Sequence, residues 1–166
     1  MRREVLWLEE AGPVPNNLLL PVIVVSDAFE AGSPEAAEQM FARHGWPPAW
    51  RNGIYPYPHF HTKAHEALAI ARGEVTVLIG GDGGARRHLS AGDAVVLPAG
   101  VAHQRLHASE DLLVVGAYPP GQSPDEMRPD HGKVDVKAVR EEIARVPDPP
   151  CNPVNGEVYP RREGAG

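Results

Sequence analysis

Apolar residues in this chain fall in short clusters divided by turn formers, and the spacing within each cluster separates strands from helices. Leu18 to Val25 is an apolar, largely β-branched run bounded by Pro13, Pro15 and Asn16-Asn17, which predicts a strand buried on both faces. Residues 1–17 read as an entry arm closed by those turn residues. Ser33-Pro34-Glu35 then supplies an N-cap, a proline at the first helical position and an acid in the first turn. Ala37, Met40 and Phe41 follow at helical spacing, and Gly45 sits where a C-cap glycine belongs, so a helix is predicted over 34–44.

From Trp46 to Tyr118 the pattern changes to short runs, with strands predicted at 54–61, 66–72, 74–80, 94–97, 102–107 and 112–118. Gly80-Gly81-Asp82-Gly83-Gly84 reads as a hairpin tip. It lacks the Gly-Lys-Ser/Thr ending of a phosphate cradle and leads into Arg86–Leu89 instead of a helix. After Pro119-Pro120-Gly121 a polar linker runs to about 132. A second helix is predicted near 135–146, with Val136, Val139, Ile143 and Val146 on one face. The last twenty residues hold five prolines without apolar periodicity, which predicts an extended, partly frayed tail.

Composition narrows the class. Glycine (17) and proline (18) form roughly a fifth of the 166 residues, below the ~25–30% at which disorder becomes the better reading. The expectation is one loop-rich, mostly β domain over 1–166, with its core at about 46–118 and no internal repeat. A formal charge of −6 argues against a nucleic-acid partner, and Arg86-Arg87-His88 is too short a basic cluster to change that. One cysteine, Cys151, fits a reducing cytoplasm. The apolar stretch Val5–Leu8 is too short for a signal-peptide core, and no run approaches the ~20 residues of a membrane span.

The candidate chemistry lies in the histidines, six of whose eight fall between positions 59 and 107. Strand side chains alternate faces, so His59 and His61 share one side, with Tyr55 and Tyr57 continuing it. The next strand carries Glu66, Leu68 and Ile70 on one face, and a hairpin brings its start opposite His61. His103 opens the strand after the Pro98-Ala99-Gly100 turn, with Arg105 and His107 in phase. Imidazoles with a carboxylate suit Fe, Mn, Ni, Zn or Cu rather than Ca or Mg. His65 is the alternative third ligand if the turn at 62–65 holds a bulge. His61-x3-His65 and His103-x3-His107 have the spacing of helical zinc ligands. Thr62 and Gln104 stand where a zinc protease needs glutamate, and nearby prolines and β-branched residues disfavour helix.

Gly53-x5-His59-x-His61-x4-Glu66-x6-Gly73 resembles the first motif of the cupin superfamily, and Gly92-x5-Pro98-x-Gly100-x2-His103 the second, with His107 in place of its final asparagine. Trp50-Arg51-Asn52-Gly53-Ile54-Tyr55, His65-Glu66 and Gly116-Ala117-Tyr118-Pro119-Pro120-Gly121 are similar to the small bacterial YjlB-type cupins. The resemblance implies a jelly-roll β-barrel with one helix before it and one after it. It places a single divalent transition-metal ion on His59, His61, Glu66 and His103, and makes a homodimer the expected assembly.

Four protein ligands on a six-coordinate ion leave two positions for a substrate. The expected function is therefore a metal-dependent enzyme on a small organic, even anionic, substrate, with an oxygenase-type reaction favoured. A metal-dependent isomerase or lyase, or a small-molecule binding or sensing protein, are the alternatives, since cupins host many activities. Arg105 is either half of a structural ion pair or a clamp for substrate carboxylate or phosphate. Tyr57 and His107 are further substrate-binding candidates. Tyr55 and Tyr118 are candidate walls of the same cavity, although core filling is the commoner aromatic role.

Overall fold

The computed structural model describes residues 1–163. Among the described residues, nine strands form two antiparallel sheets. In chain order they are β1 (Arg2–Leu6), β2 (Val22–Ser26), β3 (Pro48–Asn52), β4 (Glu66–Arg72), β5 (Glu74–Ile79), β6 (Ala85–Ser90), β7 (Ala94–Leu97), β8 (His103–Ala108) and β9 (Leu113–Ala117). Helix α1 (Pro34–Arg43) lies between β2 and β3, and α2 (Val136–Ala144) follows β9. The larger sheet has the order β1-β2-β7-β4-β9-β3, and the smaller β6-β5-β8.

Alternation along the larger sheet sorts its side chains into two layers. Leu68, Ile70, Val95, Leu97 and Val114 face the smaller sheet and pack with Val75, Val77, Ile79 and Leu89 from it. Ala67, Ala69, Ala71, Ala94, Val96, Val115 and Ala117 face the other way, under Ala37, Met40 and Phe41 of α1 and beside Trp46. The small residues on that face let the helix approach closely, so the central strands are buried on both sides. Ser33 caps α1 by accepting from the Ala36 amide at 3.0 Å, as the Ser-Pro-Glu pattern predicts. A third cluster joins Val139 and Ile143 of α2 to Phe60, Ala99 and Ala102.

Several expectations are corrected. The ladders stop at two sheets and do not close into one barrel. At one seam a forked pair from Arg87 to Glu4 (2.7 and 2.9 Å) links β6 to β1 in place of a ladder. At the other, residues 53–59 span the gap. Residues 54–61 are not a strand: Pro56 and Pro58 lack amide donors, and only isolated bridges at His59–His103 and Phe60–Met127 remain. The arm before residue 18 contributes β1, and β1 and β2 join the larger sheet, so α1 lies within the strand order and not before it. Leu18–Leu20 bend because the Asn17 side chain accepts from the Leu19 and Leu20 amides. β6 falls where no strand was predicted. The tail is docked: Val154 and Tyr159 are buried in the cluster under α1, and the Tyr159 hydroxyl donates to the Pro21 carbonyl. Among the described residues no helix is long and apolar enough to cross a membrane.

Candidate metal centre

The two histidine-bearing segments meet between the sheets. His59 and His103 exchange backbone hydrogen bonds at 3.2 and 2.9 Å, which sets their rings 4.1 Å apart. The Gly100 amide donates to the His61 carbonyl at 2.6 Å, tying the turn before β8 to the first segment. Gly100 has φ +91°, and a Cβ there would stand 2.6 Å from Ile143 Cδ1, so only glycine permits this approach. Glu66 opens β4 in phase with Leu68 and Ile70, and its carboxylate points at the imidazoles.

One ligand atom from each of His59, His61 and His103 lies within 4.8 Å of the other two. Glu66 Oε1 stands beside them, 3.3 Å from His61 Nε2 and 3.1 Å from His103 Nε2. Each of the three rings places Nδ1 against a backbone carbonyl: Tyr57 for His59, Asp125 for His61 and Val101 for His103. Those carbonyls fix the proton on Nδ1 and leave the Nε2 lone pairs for the centre. Lone pairs and a carboxylate cannot face one another at such distances unless a proton or a cation lies between them. The donor set therefore fits a divalent transition ion.

The electrostatics carry the same demand. Burial pushes His59 down to about 3, with neighbouring His103 acting in the same direction. Burial also opposes charge on His61, but its hydrogen bond and attraction to Glu66 outweigh this and raise it to about 9. Burial raises Glu66, yet hydrogen bonds from His103 and His61 outweigh that and hold it well below the usual carboxylate range. Burial and the nearby Glu66 charge push the Tyr118 phenol up, so it stays protonated.

The alternative ligand His65 is turned away. Its Nδ1 accepts from the Ala99 amide at 2.9 Å, and its Nε2 lies 2.8 Å from the Pro147 carbonyl. Both nitrogens are committed, and His65 works as a buried brace between the Pro98–Gly100 turn and the chain after α2.

Above the imidazoles opens a cavity of about 610 Å³, whose walls include Trp50, Ile54, Tyr55, Arg105, Tyr118 and Asp125. Arg105 is thus placed in the cavity. His107 is not: Thr76 pairs with His107 while Val77 pairs with Arg105, so Leu106 is an extra residue in the ladder. That bulge flips the later side chains, and His107 is exposed on the outer face. Tyr57 is also displaced from the walls. It is sandwiched between Tyr55 (centroids 4.8 Å apart) and the Arg128 guanidinium, 3.8 Å from its ring centre.

Asp125 is the site residue that sequence reasoning missed. Its carboxylate accepts from the Thr62 amide (2.7 Å), the Thr62 hydroxyl (2.6 Å) and the Lys63 amide (3.1 Å), while its carbonyl meets His61. More than sixty residues separate these partners, and no local spacing signals the contact.

Comparison with known proteins bears on the family. A cupin-domain family model matches residues 50–115. The uncharacterised protein YjlB of Bacillus subtilis (strain 168) is 35% identical over 145 residues, covering 86% of this chain and 87% of its own. Among solved structures, an oxalate decarboxylase variant from Bacillus subtilis is 15% identical with a TM-score of 0.40, over 71% of this chain and 30% of its own. An acireductone dioxygenase from Bacillus anthracis with cadmium in its active centre is 18% identical with a TM-score of 0.34, over 68% of this chain and 57% of its own. Likeness at that level bears on neither substrate nor reaction. The family itself is settled by the sequence match that runs over most of both chains: this protein is a small cupin of the YjlB type.

Proposed function

We propose that this cupin is a metal-dependent enzyme acting on a small organic molecule, with an oxygenase-type reaction as the leading reading. One observation carries it: three imidazoles and a buried carboxylate converge at the base of a cavity large enough for a small-molecule substrate. His59, His61, His103 and Glu66 would hold the ion. Such an ion supplies Lewis acidity and, where redox-active, access to dioxygen chemistry. The chain's own contribution is to orient the four ligands through Tyr57, Val101 and Asp125, and to flank the substrate with Arg105 and the neutral Tyr118 hydroxyl.

The test is anaerobic reconstitution of the purified protein with Fe(II), followed by oxygen-uptake measurement against a panel of small organic acids, alcohols and ketones. Substrate loss coupled to oxygen consumption is the expected result. Substrate loss without oxygen uptake would replace the oxygenase by an isomerase or lyase. Saturable binding without turnover would replace it by a binding or sensing role.

A further inference from the structure

Within that cavity the hydrogen-bonding groups are unequally satisfied. Three carboxylates line it, and each has partners. Glu66 is bonded to two imidazoles, Asp125 to Thr62 and Lys63, and Glu126 Oε2 to the Tyr57 hydroxyl at 3.4 Å. Among the charged groups of the lining, Arg105 is the exception. Its amide donates to the Tyr55 carbonyl at 2.9 Å, but among the described residues its guanidinium makes no hydrogen bond and no ion pair. A half-buried guanidinium offers five donors in a planar fork and accepts nothing, so the partner it lacks is an anion, best matched by a carboxylate.

The opposite wall carries a second donor. Trp50 Nε1 donates to the Tyr118 hydroxyl oxygen at 2.9 Å. Indole nitrogen can only donate, so Tyr118 is the acceptor there and its own hydrogen is left for the cavity, where the Glu66 carboxylate is the protein acceptor within its reach. This arrangement is built in. Trp50 pairs with Gly116 across β3 and β9, and a Cβ on Gly116 would lie 2.1 Å from the indole. The missing side chain lets the indole lie flat on β9 with its N–H at Tyr118.

We infer that the cavity takes a small carboxylate bearing a second acceptor oxygen, with Arg105 clamping the carboxylate and the Tyr118 hydroxyl donating to the second oxygen. This rests on the reading of the cavity as a substrate site, and it names the class of substrate.

The experiment is isothermal titration of the full chain, loaded with Co(II), with oxo acids from pyruvate to 5-oxohexanoate, their primary amides and the matching alkanoates. At least one oxo acid should bind about tenfold or more tighter than its amide, the size expected of a charge-assisted fork. Arg105→Gln should abolish that preference while metal content is unchanged. Tyr118→Phe should weaken the best oxo acid about fivefold and leave its alkanoate unaffected. Equal binding of acids and amides, a preference that survives Arg105→Gln, or no acid bound up to roughly 10 mM would overturn the inference. Equal losses for oxo acid and alkanoate on Tyr118→Phe would remove Tyr118 from it and leave that hydroxyl as a support for Glu66. The same titration of chelator-treated protein separates the two claims. Arg105 is outside the set of candidate ligands, so the acid-over-amide preference should persist there even if the metal reading fails.

Discussion

The two segments that bring imidazoles to the centre are held in different ways. His103 opens a regular strand, its ring is 2% exposed, and its Nδ1 is fixed by a carbonyl two residues back. His61 lies on a proline-broken stretch outside any strand. Its ring is 11% exposed, and its Nδ1 meets the carbonyl of Asp125 from the segment after β9. One ring is positioned by the sheet, the other by a clasp from the segment after β9. On the proposed reading, metal binding is therefore coupled to that later segment through Asp125, while the His65 brace acts on the fold.

Breaking the brace should have the largest effect, and it should fall on stability. His65→Ala leaves the Ala99 amide and the Pro147 carbonyl without partners and opens a cavity, which costs about 3 kcal/mol. Thermal or urea unfolding would read this, with metal affinity staying within about threefold because both His65 nitrogens are bonded elsewhere. A loss of metal with little loss of stability would make His65 part of the centre.

Loosening the clasp should come next. Asp125→Ala removes three accepted hydrogen bonds from the His61 turn and frees the carbonyl that orients His61. Metal affinity should fall roughly 10–100-fold, with Asp125→Asn recovering part of it. Competition titration with a chromophoric chelator measures this. An unchanged affinity would mean that His61 is positioned by the strand-side contacts alone.

The smallest effect is a proton count. In chelator-treated protein His61 holds its extra proton up to about pH 9 against the Glu66 carboxylate. A folded pKa raised above the ordinary 6.5 contributes stability that is complete below 6.5 and lost as pH rises through about 9. Metal loading at pH 7.5 should accordingly release about one proton, read from titrations in buffers of different ionisation enthalpy. The chelator-treated protein alone should lose stability between pH 6.5 and 9.

Much of this was legible in the chain because alternation and motif spacing are local signals. Glu66, Leu68 and Ile70 share a phase, and β4 and β7 carry the predicted boundaries because both are short apolar runs between turn residues. The failures have physical causes. Pro56 and Pro58 kept residues 54–61 out of the sheet without moving His59 and His61 from one side, so the two rings still meet His103 although their strand is absent. The bulge at Leu106 is invisible to a period-two count, which is why His107 was carried inward with Arg105. Asp125 and the docked tail depend on contacts across more than sixty residues, and neither polar nor proline-rich composition encodes them.

The central claim is that His59, His61, His103 and Glu66 form one metal centre, and metal stoichiometry tests it most directly. Elemental analysis of the purified protein after loading and desalting should give close to one transition-metal ion per chain. His61→Ala and His103→Ala should bind none stoichiometrically, and Glu66→Ala should retain far less than His65→Ala. Full occupancy in the two histidine variants, or equal retention by Glu66→Ala and His65→Ala, would contradict the account.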